Sequence, residues 1–218
     1  PDLFALAEAG GDKALQDLVD ALERRPQDYG RWISAAGDAL GPVAARRLLE
    51  SLDASARKTP AGRNLLRRLA DRAGDLDLWL SLVTPEQAGS PDIAADIARR
   101  LLGAGRVAEA RAALEAPLRP SPLNRRWTFG HNPKEGAPRL TPAWEAASID
   151  VLEAEGSRQE AQDLRWSLFE RDLSAPVLRD YLSRLPDFDD VEALDRAFAY
   201  ASSHPDFEAA MRLLMDWP

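Results

Sequence analysis

The sequence predicts an all-α protein, folded as an α-solenoid in which helical hairpins stack into a right-handed superhelix. Apolar residues recur at helical spacing along nearly the whole chain, and no segment shows the alternation of a β-strand. Prolines, glycines and capping residues divide the chain into about 11 or 12 short helices. Two stretches also share one pattern of apolar, glycine and alanine positions, which indicates an internal repeat.

The N-terminal part of the chain contains apolar helix faces separated by helix-breaking residues. One face covers residues 15–22 and a second covers residues 32–40. Pro42 starts the next helix in its first turn, where a missing backbone N–H removes no hydrogen bond. Leucine-rich faces follow at residues 65–69 and 76–82.

Two tripeptides predict helix starts in the middle of the chain. Residues 84–86 (Thr-Pro-Glu) and 90–92 (Ser-Pro-Asp) both place a capping side chain, a proline and an acid in order. A hydroxyl can accept a hydrogen bond from the first turn, and the helix dipole stabilises an acid there.

Two segments, residues 93–115 and 144–169, have the pattern of the same helical hairpin. Gly105 separates two apolar faces in the first, and Ala110 lies on its second helix, while Gly156 and Ala161 take the same places in the other. Small residues at these positions let antiparallel helices approach closely. The pattern resembles tetratricopeptide-like and HEAT-like repeats, and the first hairpin fits better than the second.

The spacing of the repeat is irregular, and it sets the predicted domain organisation. Gly105 and Gly156 are 51 residues apart, whereas a tetratricopeptide unit takes about 34 residues. The excess falls in residues 116–140, which have no apolar period. We therefore expect N-terminal hairpins over residues 1–115, a basic aromatic loop insertion over 116–140, and C-terminal hairpins of the same continuous solenoid over 141–218.

The tripeptide Pro-Asp-Phe occurs twice near the C-terminus, ending at Phe188 and at Phe207. Each copy precedes an apolar helix face. We expect each Asp to cap or charge a helix start, and each Phe to pack against the first turn as a hydrophobic staple. Both phenylalanines are therefore predicted, like the hairpin glycines and alanines, to be structural.

Composition excludes several classes of chemistry. The chain has no cysteine, which excludes disulfides, thiolate metal sites and thiol nucleophiles. Its formal net charge of −8 disfavours nucleic-acid binding through a basic body.

No apolar run reaches the roughly 18 to 20 residues of a membrane span, and we expect a cytoplasmic protein without a membrane partner. The chain begins at Pro1, and we expect it to be a fragment of a longer protein.

The predicted loop is a candidate interaction site because basic and aromatic residues alternate in it. The candidates are Arg125, Arg126, Trp127, Phe129, Lys134 and Arg139. Arginines with aromatic side chains are typical of protein-interaction hot spots, although the same types also clamp phosphates and stack on bases. Alternatively, the aromatic side chains hold the loop on the solenoid while its arginines pair with the acidic body.

An acidic run at Asp187, Asp189, Asp190 and Glu192 is a second candidate site. The run lacks the glycine and the terminal glutamate of an EF-hand loop. Because the helix dipole favours acids at a helix start, we interpret the run as capping and surface charge. A metal site for an enzyme remains the alternative.

No motif of a catalytic or cofactor site is present. The sequence has no P-loop, no G-x-G-x-x-G and no G-x-S-x-G nucleophile elbow. Its two histidines, His131 and His204, are far apart in sequence, whereas a zinc site would need them to converge with carboxylates. We expect no catalytic residue, no cofactor and no metal.

The last apolar helix is predicted to form an interaction surface. It carries Leu214, Met215 and Trp217, and no polar capping helix follows in the sequence. Solenoids need polar caps at their ends. We therefore expect this end to dimerise or to pack against a further C-terminal segment.

The chain from Trp144 onward resembles an uncharacterised bacterial family. The matching stretches are Ala143-Trp144-Glu145, Leu152-Glu153-Ala154-Glu155-Gly156, Glu160-Ala161-Gln162, Leu164-Arg165-Trp166, Leu168-Phe169-Glu170-Arg171, Leu185-Pro186-Asp187-Phe188-Asp189-Asp190 and Trp217-Pro218. The Leu-Pro-x-Phe-Asp-Asp stretch is the most distinctive of them. The resemblance implies a tetratricopeptide-like helical region in a domain of unknown function, and it assigns no active site.

Together, the degenerate repeat and the lack of a catalytic motif predict a non-catalytic scaffold or adaptor. We expect it to bind an unknown protein or peptide on the concave face of the superhelix. A nucleic-acid-associated accessory protein that uses the basic loop over residues 119–139 is the first alternative, and nucleic acid is disfavoured by the net charge. An enzyme with an acidic metal site near residues 187–192 is the second.

Overall fold

The computed structural model describes residues 12–26, 28, 33, 40–52, 54–119 and 140–217. Within these residues it contains 12 α-helices and two short 3-10 helices, and no strand. The predicted all-α class is therefore confirmed. The contacts divide the chain into two compact units, Pro1–Ala88 and Gly89–Pro218.

The first unit contains five α-helices in its described residues. They are α1 (Asp12–Arg24), α2 (Pro42–Ser51), α3 (Pro60–Ala73), α4 (Leu76–Ser81) and α5 (Pro85–Ala88), with a 3-10 helix at Ala54–Lys58. Leu22, Leu48 and Leu69 are fully buried and lie in one apolar core. Pro42 is at the start of α2, as the sequence predicts.

Side chains cap three helix starts in this unit. Thr59 accepts a hydrogen bond from the Gly62 N–H at 3.0 Å, and Asp75 accepts one from the Leu78 N–H at 2.9 Å. At the start of α5, Thr84 and Gln87 exchange hydrogen bonds between side chain and backbone. This reciprocal pair is a capping box, and it confirms the helix start predicted there.

The second unit contains the remaining helices. They are α6 (Pro91–Gly103), α7 (Val107–Glu115), α8 (Pro142–Ala154), α9 (Arg158–Asp172), α10 (Ala175–Leu182), α11 (Asp189–Ser202) and α12 (Phe207–Asp216), with a 3-10 helix at Ala116–Leu118. α6 starts at the predicted tripeptide, but the Ser90 side chain makes no capping hydrogen bond. The two predicted hairpins are α6–α7 and α8–α9.

The turns of the two hairpins have the same hydrogen bonds. Gly105 and Gly156 have φ angles of 74° and 82°, a left-handed conformation that favours glycine. At the first turn the Arg106 N–H donates to the Leu101 carbonyl at 2.8 Å. The equivalent bond, from Ser157 to Leu152, measures 2.9 Å. Both turns are Schellman motifs, so the alignment of the two glycines holds in three dimensions.

A third turn of this kind ends α3. Gly74 has a φ of 68°, and the Asp75 N–H donates to the Ala70 carbonyl at 2.9 Å. The sequence pattern did not identify it, because the helix that follows is only six residues long.

The hairpins of the second unit pack closely on one another. Ala110 and Ala161 are fully buried, as predicted for small residues between antiparallel helices. α8 contacts both α6 and α7. The Trp144 indole N–H donates to the Leu114 carbonyl at 3.0 Å, and Arg99 donates to the Ala143 carbonyl at 3.1 Å. These bonds join the start of α8 to the preceding hairpin.

The two Pro-Asp-Phe sequences differ in structure, and the predicted staples are wrong. Phe188 is 83% exposed and Phe207 is 74% exposed, so neither packs against its first turn. Phe188 precedes α11 with a left-handed φ of 77°, whereas Phe207 is the first residue of α12. Only Asp206 caps its helix, accepting from the Ala209 N–H at 3.0 Å. The two helix starts are therefore one residue out of register.

Candidate functional site

The predicted loop residues lie outside the described part of the chain. They are Arg125, Arg126, Trp127, Phe129, Lys134 and Arg139. Next to this segment, Arg119 is exposed and pairs with Glu115 at 3.6 Å. The interaction site predicted on the loop stays a prediction.

The other predicted interaction residues lie on α12 or directly after it, and the structure describes all three. Leu214 is 52% exposed and Met215 is 79% exposed. Trp217 is half-buried, because its ring packs edge-on against Phe198 at 5.8 Å and lies beneath the Arg179 guanidinium at 5.4 Å. Trp217 therefore anchors the end of α12, while the other two side chains face solvent.

α12 is apolar on two faces. Ala210 and Leu213 are buried in the core of the second unit. Four large apolar side chains occupy a different face at i, i+4, i+7 and i+8. They are Phe207, Met211, Leu214 and Met215, all exposed. We call this row the α12 stripe.

Exposed apolar side chains are concentrated around these last two helices. Of the nine large apolar residues exposed in the described part of the chain, six lie between Phe188 and Met215. Besides the α12 stripe they include Phe188 itself and Val191, near the start of α11. Single exposed apolar residues are ordinary, but a concentration of this kind is a candidate interaction surface.

The carboxylates near this surface are exposed and unpaired. They are Asp187, Asp189, Asp190, Glu192, Asp195 and Asp216. Within the described residues none of them makes an ion pair, whereas Glu208 pairs with Arg212 at 3.1 Å. The surface is therefore apolar with a negative border.

A cluster of arginine and aromatic side chains joins α9, α10 and α11. The Arg196 guanidinium stacks over the Trp166 ring at 3.9 Å and donates to the Tyr181 hydroxyl at 2.9 Å. The Trp166 indole N–H donates to Glu170 at 2.6 Å. No sequence pattern predicts this cluster, because its members are on three helices and no local spacing connects them.

A buried arginine holds α8, α9 and α10 together. Arg165 is 2% exposed and donates to Glu153 and to Asp180, each at 2.6 Å. Arg184 also pairs with Glu153. Burial acts to raise the pKa of Glu153, but the hydrogen bonds from Arg184 and Arg165 outweigh it and hold this pKa below its usual value.

The first unit contains a mainly apolar cavity of about 350 Å³. Leu22, Leu52 and Leu65 form part of its wall, and the charged side chains Glu23 and Lys58 also line it. Its volume is at the lower end of the range for small-molecule sites. The two charges are of opposite sign, so the lining has no overall preference for an anion or a cation.

Residues 5–218 match the sequence profile of DUF6880, a family of unknown function. The chain belongs to the DUF6880 family. This confirms the resemblance to an uncharacterised family and extends it through both compact units. No curated protein and no solved structure matches the chain.

Neither a three-ligand metal cluster nor a helix able to span a membrane occurs in the described residues of this DUF6880 chain. No group of three or more histidine or acidic side chains is placed to hold a metal ion there, the acidic run at 187–192 included. No helix among those residues is long and apolar enough to cross a membrane. Among the described residues, the α12 stripe contains four of the nine exposed large apolar side chains.

Proposed function

We propose that this chain is a non-catalytic scaffold that binds a partner protein through the α12 stripe. One observation supports this most strongly: α12 has a second apolar face, exposed, while its other apolar face is already buried in the core. Large exposed apolar rows mark protein–protein contact sites. The predicted cytoplasmic location is part of the proposal.

The proposal includes a degenerate, tetratricopeptide-like solenoid as the architecture of the scaffold. The matching turns at Gly105 and Gly156 support it, as do the contacts of α8 with both helices of the preceding hairpin. Stacking each hairpin on its neighbour is how solenoids bury their apolar faces. The site proposed on α12 replaces the concave face expected from the sequence.

Site-specific photo-cross-linking tests the function. A photoreactive amino acid at Met211 in cells that produce the protein should yield a discrete adduct with one partner. The adduct should disappear in a chain that also carries Leu214→Glu, because a charge interrupts the apolar row. The same probe at exposed Glu160 on α9 is the control and should not yield this adduct.

No adduct from Met211, or an identical adduct from Glu160, would contradict the proposal. Circular dichroism of the Leu214→Glu chain must match the unmodified chain. This side chain is half-exposed, so we expect the variant to fold.

A further inference from the structure

We infer that the α12 stripe binds a basic amphipathic helix of a partner protein. This inference rests on the proposed function and adds the chemistry of the partner. Recognition of this kind places an apolar helix face, with anchors at i, i+3, i+4 and i+7, on a complementary apolar surface.

The composition of the stripe fits an adaptable helix-binding surface. The chain has two methionines in 218 residues, Met211 and Met215, and both lie on the stripe. Methionine side chains are flexible and polarisable, so they fit apolar partners of varied shape. Phe207 and Leu214 complete the row with larger, stiffer groups.

Apolar side chains of α11 lie next to Trp217, the residue that follows α12. Trp217 contacts Phe198, and Val191, Leu194 and Phe198 recur at i, i+3 and i+7 on α11. The row thus leads from the Trp217 contact to Val191, which is 59% exposed. A bound helix would therefore reach both α12 and the first turns of α11.

Acidic residues border this row and specify the charge of the partner. At 3.6 residues per turn, Asp190 and Asp195 lie on either side of the α11 row, and Asp187 precedes it. All three are exposed and make no ion pair within the described residues. Cationic side chains flanking an apolar helix face would complement them.

The same charges disfavour a second copy of this chain as the occupant. A twofold interface brings the same patch of both subunits together. Asp190 and Asp195 would then approach the acidic residues of the other copy, and like charges across an interface are destabilising. The negative border therefore favours a basic partner over a dimer, which is one of the two occupants expected from the sequence.

The test uses the full chain and three designed helical peptides of equal length, followed by fluorescence anisotropy. The first has a leucine face flanked by arginines, the second has glutamates in place of the arginines, and the third has serines in place of the leucines. Only the first should bind tightly. Its affinity should be largely lost at about 1 M salt, where charges are screened within roughly 3 Å.

Two variants separate the apolar and the charged contributions. Leu214→Glu should abolish binding of the first peptide. Asp187→Asn, Asp190→Asn and Asp195→Asn together should weaken it roughly tenfold or more, through the loss of three facing charges. A control with the same change in net charge, Asp17→Asn, Glu50→Gln and Asp92→Asn, neutralises three exposed acids elsewhere and should bind within about twofold.

Three results would overturn the inference and leave the proposed function open. Equal binding of the acidic peptide would show that charge does not select the partner, and equal weakening by both triple variants would show a non-specific charge effect. A concentration-dependent dimer that Leu214→Glu dissociates would make a second copy the occupant. If cross-linking through Met211 still succeeds in these cases, the proposed function stands without a basic partner. If Leu214→Glu changes neither cross-linking nor peptide binding, the proposed function and the inference of a basic partner both fail.

Discussion

Gly62 is a position in the first unit where a single methyl group would break the packing. A Cβ there would lie 2.0 Å from the Ala56 carbonyl oxygen, which belongs to backbone and cannot move aside easily. We expect Gly62→Ala to lower the free energy of unfolding by at least about 2 kcal/mol, because the 3-10 helix must separate from α3. Urea denaturation measures the change.

The control is Gly103→Ala, at the end of α6, where a Cβ would meet nothing within 4 Å and φ is ordinary. We expect this variant to be neutral or more stable by about 0.5 kcal/mol. Equal stability of the two variants would show that the contact between Gly62 and Ala56 is looser than the structure describes.

Arg165 is the buried charge on which the packing of α8, α9 and α10 depends. Arg165→Met should destabilise the protein by roughly 3 kcal/mol, since it leaves Glu153 and Asp180 without their buried cation. Arg184→Met removes a half-exposed partner of the same two acids and should cost less than about 1 kcal/mol. Thermal unfolding of both variants gives the comparison, and similar losses would contradict a special role for Arg165.

The same ion pairs predict how stability depends on pH. Hydrogen bonds from arginines hold the pKa values of Glu155 and Asp172 below their usual range. Glu153 accepts two such bonds, and they lower its pKa although burial acts to raise it. A folded-state pKa below the unfolded value adds stability above the unfolded pKa of about 4, and this stability is lost as pH falls further. The free energy of unfolding measured in urea should therefore contain a constant contribution from these groups between about pH 7 and 5. This contribution should decline at lower pH. A decline that begins near neutral pH would point to other groups.

At the scale of elements, the local patterns in the sequence predicted the helices well. The starts of α5 and α6 follow from a proline in the first turn, and the two hairpins follow from glycine and alanine at fixed offsets. Each of these features depends on residues that are close together in the chain, so it can be recognised from the sequence alone. Phe188 shows the limit, because the same tripeptide precedes α11 and starts α12 in different conformations. Which face a terminal helix buries depends on its neighbours.

The candidate site was only partly predictable, because a single sequence does not show which helix faces tertiary packing leaves exposed. Leu214 and Met215 were expected in an apolar interaction surface, and both are exposed. Phe207 and Val191 were not expected in the surface, since periodicity gives the apolar faces of a helix without saying which one is buried. The stacking of Arg196 on Trp166 brings together residues 30 positions apart and depends on tertiary packing.

The hairpin turns give the prediction that belongs to elements. Gly156→Ala places a side chain at a φ of 82° with open space around it, so the cost is backbone strain alone, about 1 kcal/mol. Gly105→Ala, at the equivalent turn, should cost the same. Denaturation curves compare the two variants, and a clear difference would mean that the two turns are not equivalent.

For the molecule as a whole, the central claim is that the α12 stripe is open in the free chain and is covered by a partner. Two compact units bury most large apolar side chains of the described residues, yet this row remains in solvent. Surfaces of this kind are retained for contacts rather than for folding.

The methionines allow the most direct measurement of this claim. Labelling the methionine methyl groups with ¹³C gives two NMR signals, from Met211 and Met215, and both report on the stripe. We expect a soluble paramagnetic agent to broaden both signals in the free chain, and the basic amphipathic peptide to shift them and protect them. Signals that are already protected in the free monomer, or that stay unchanged while the peptide binds, would show that the α12 stripe is not an open binding surface.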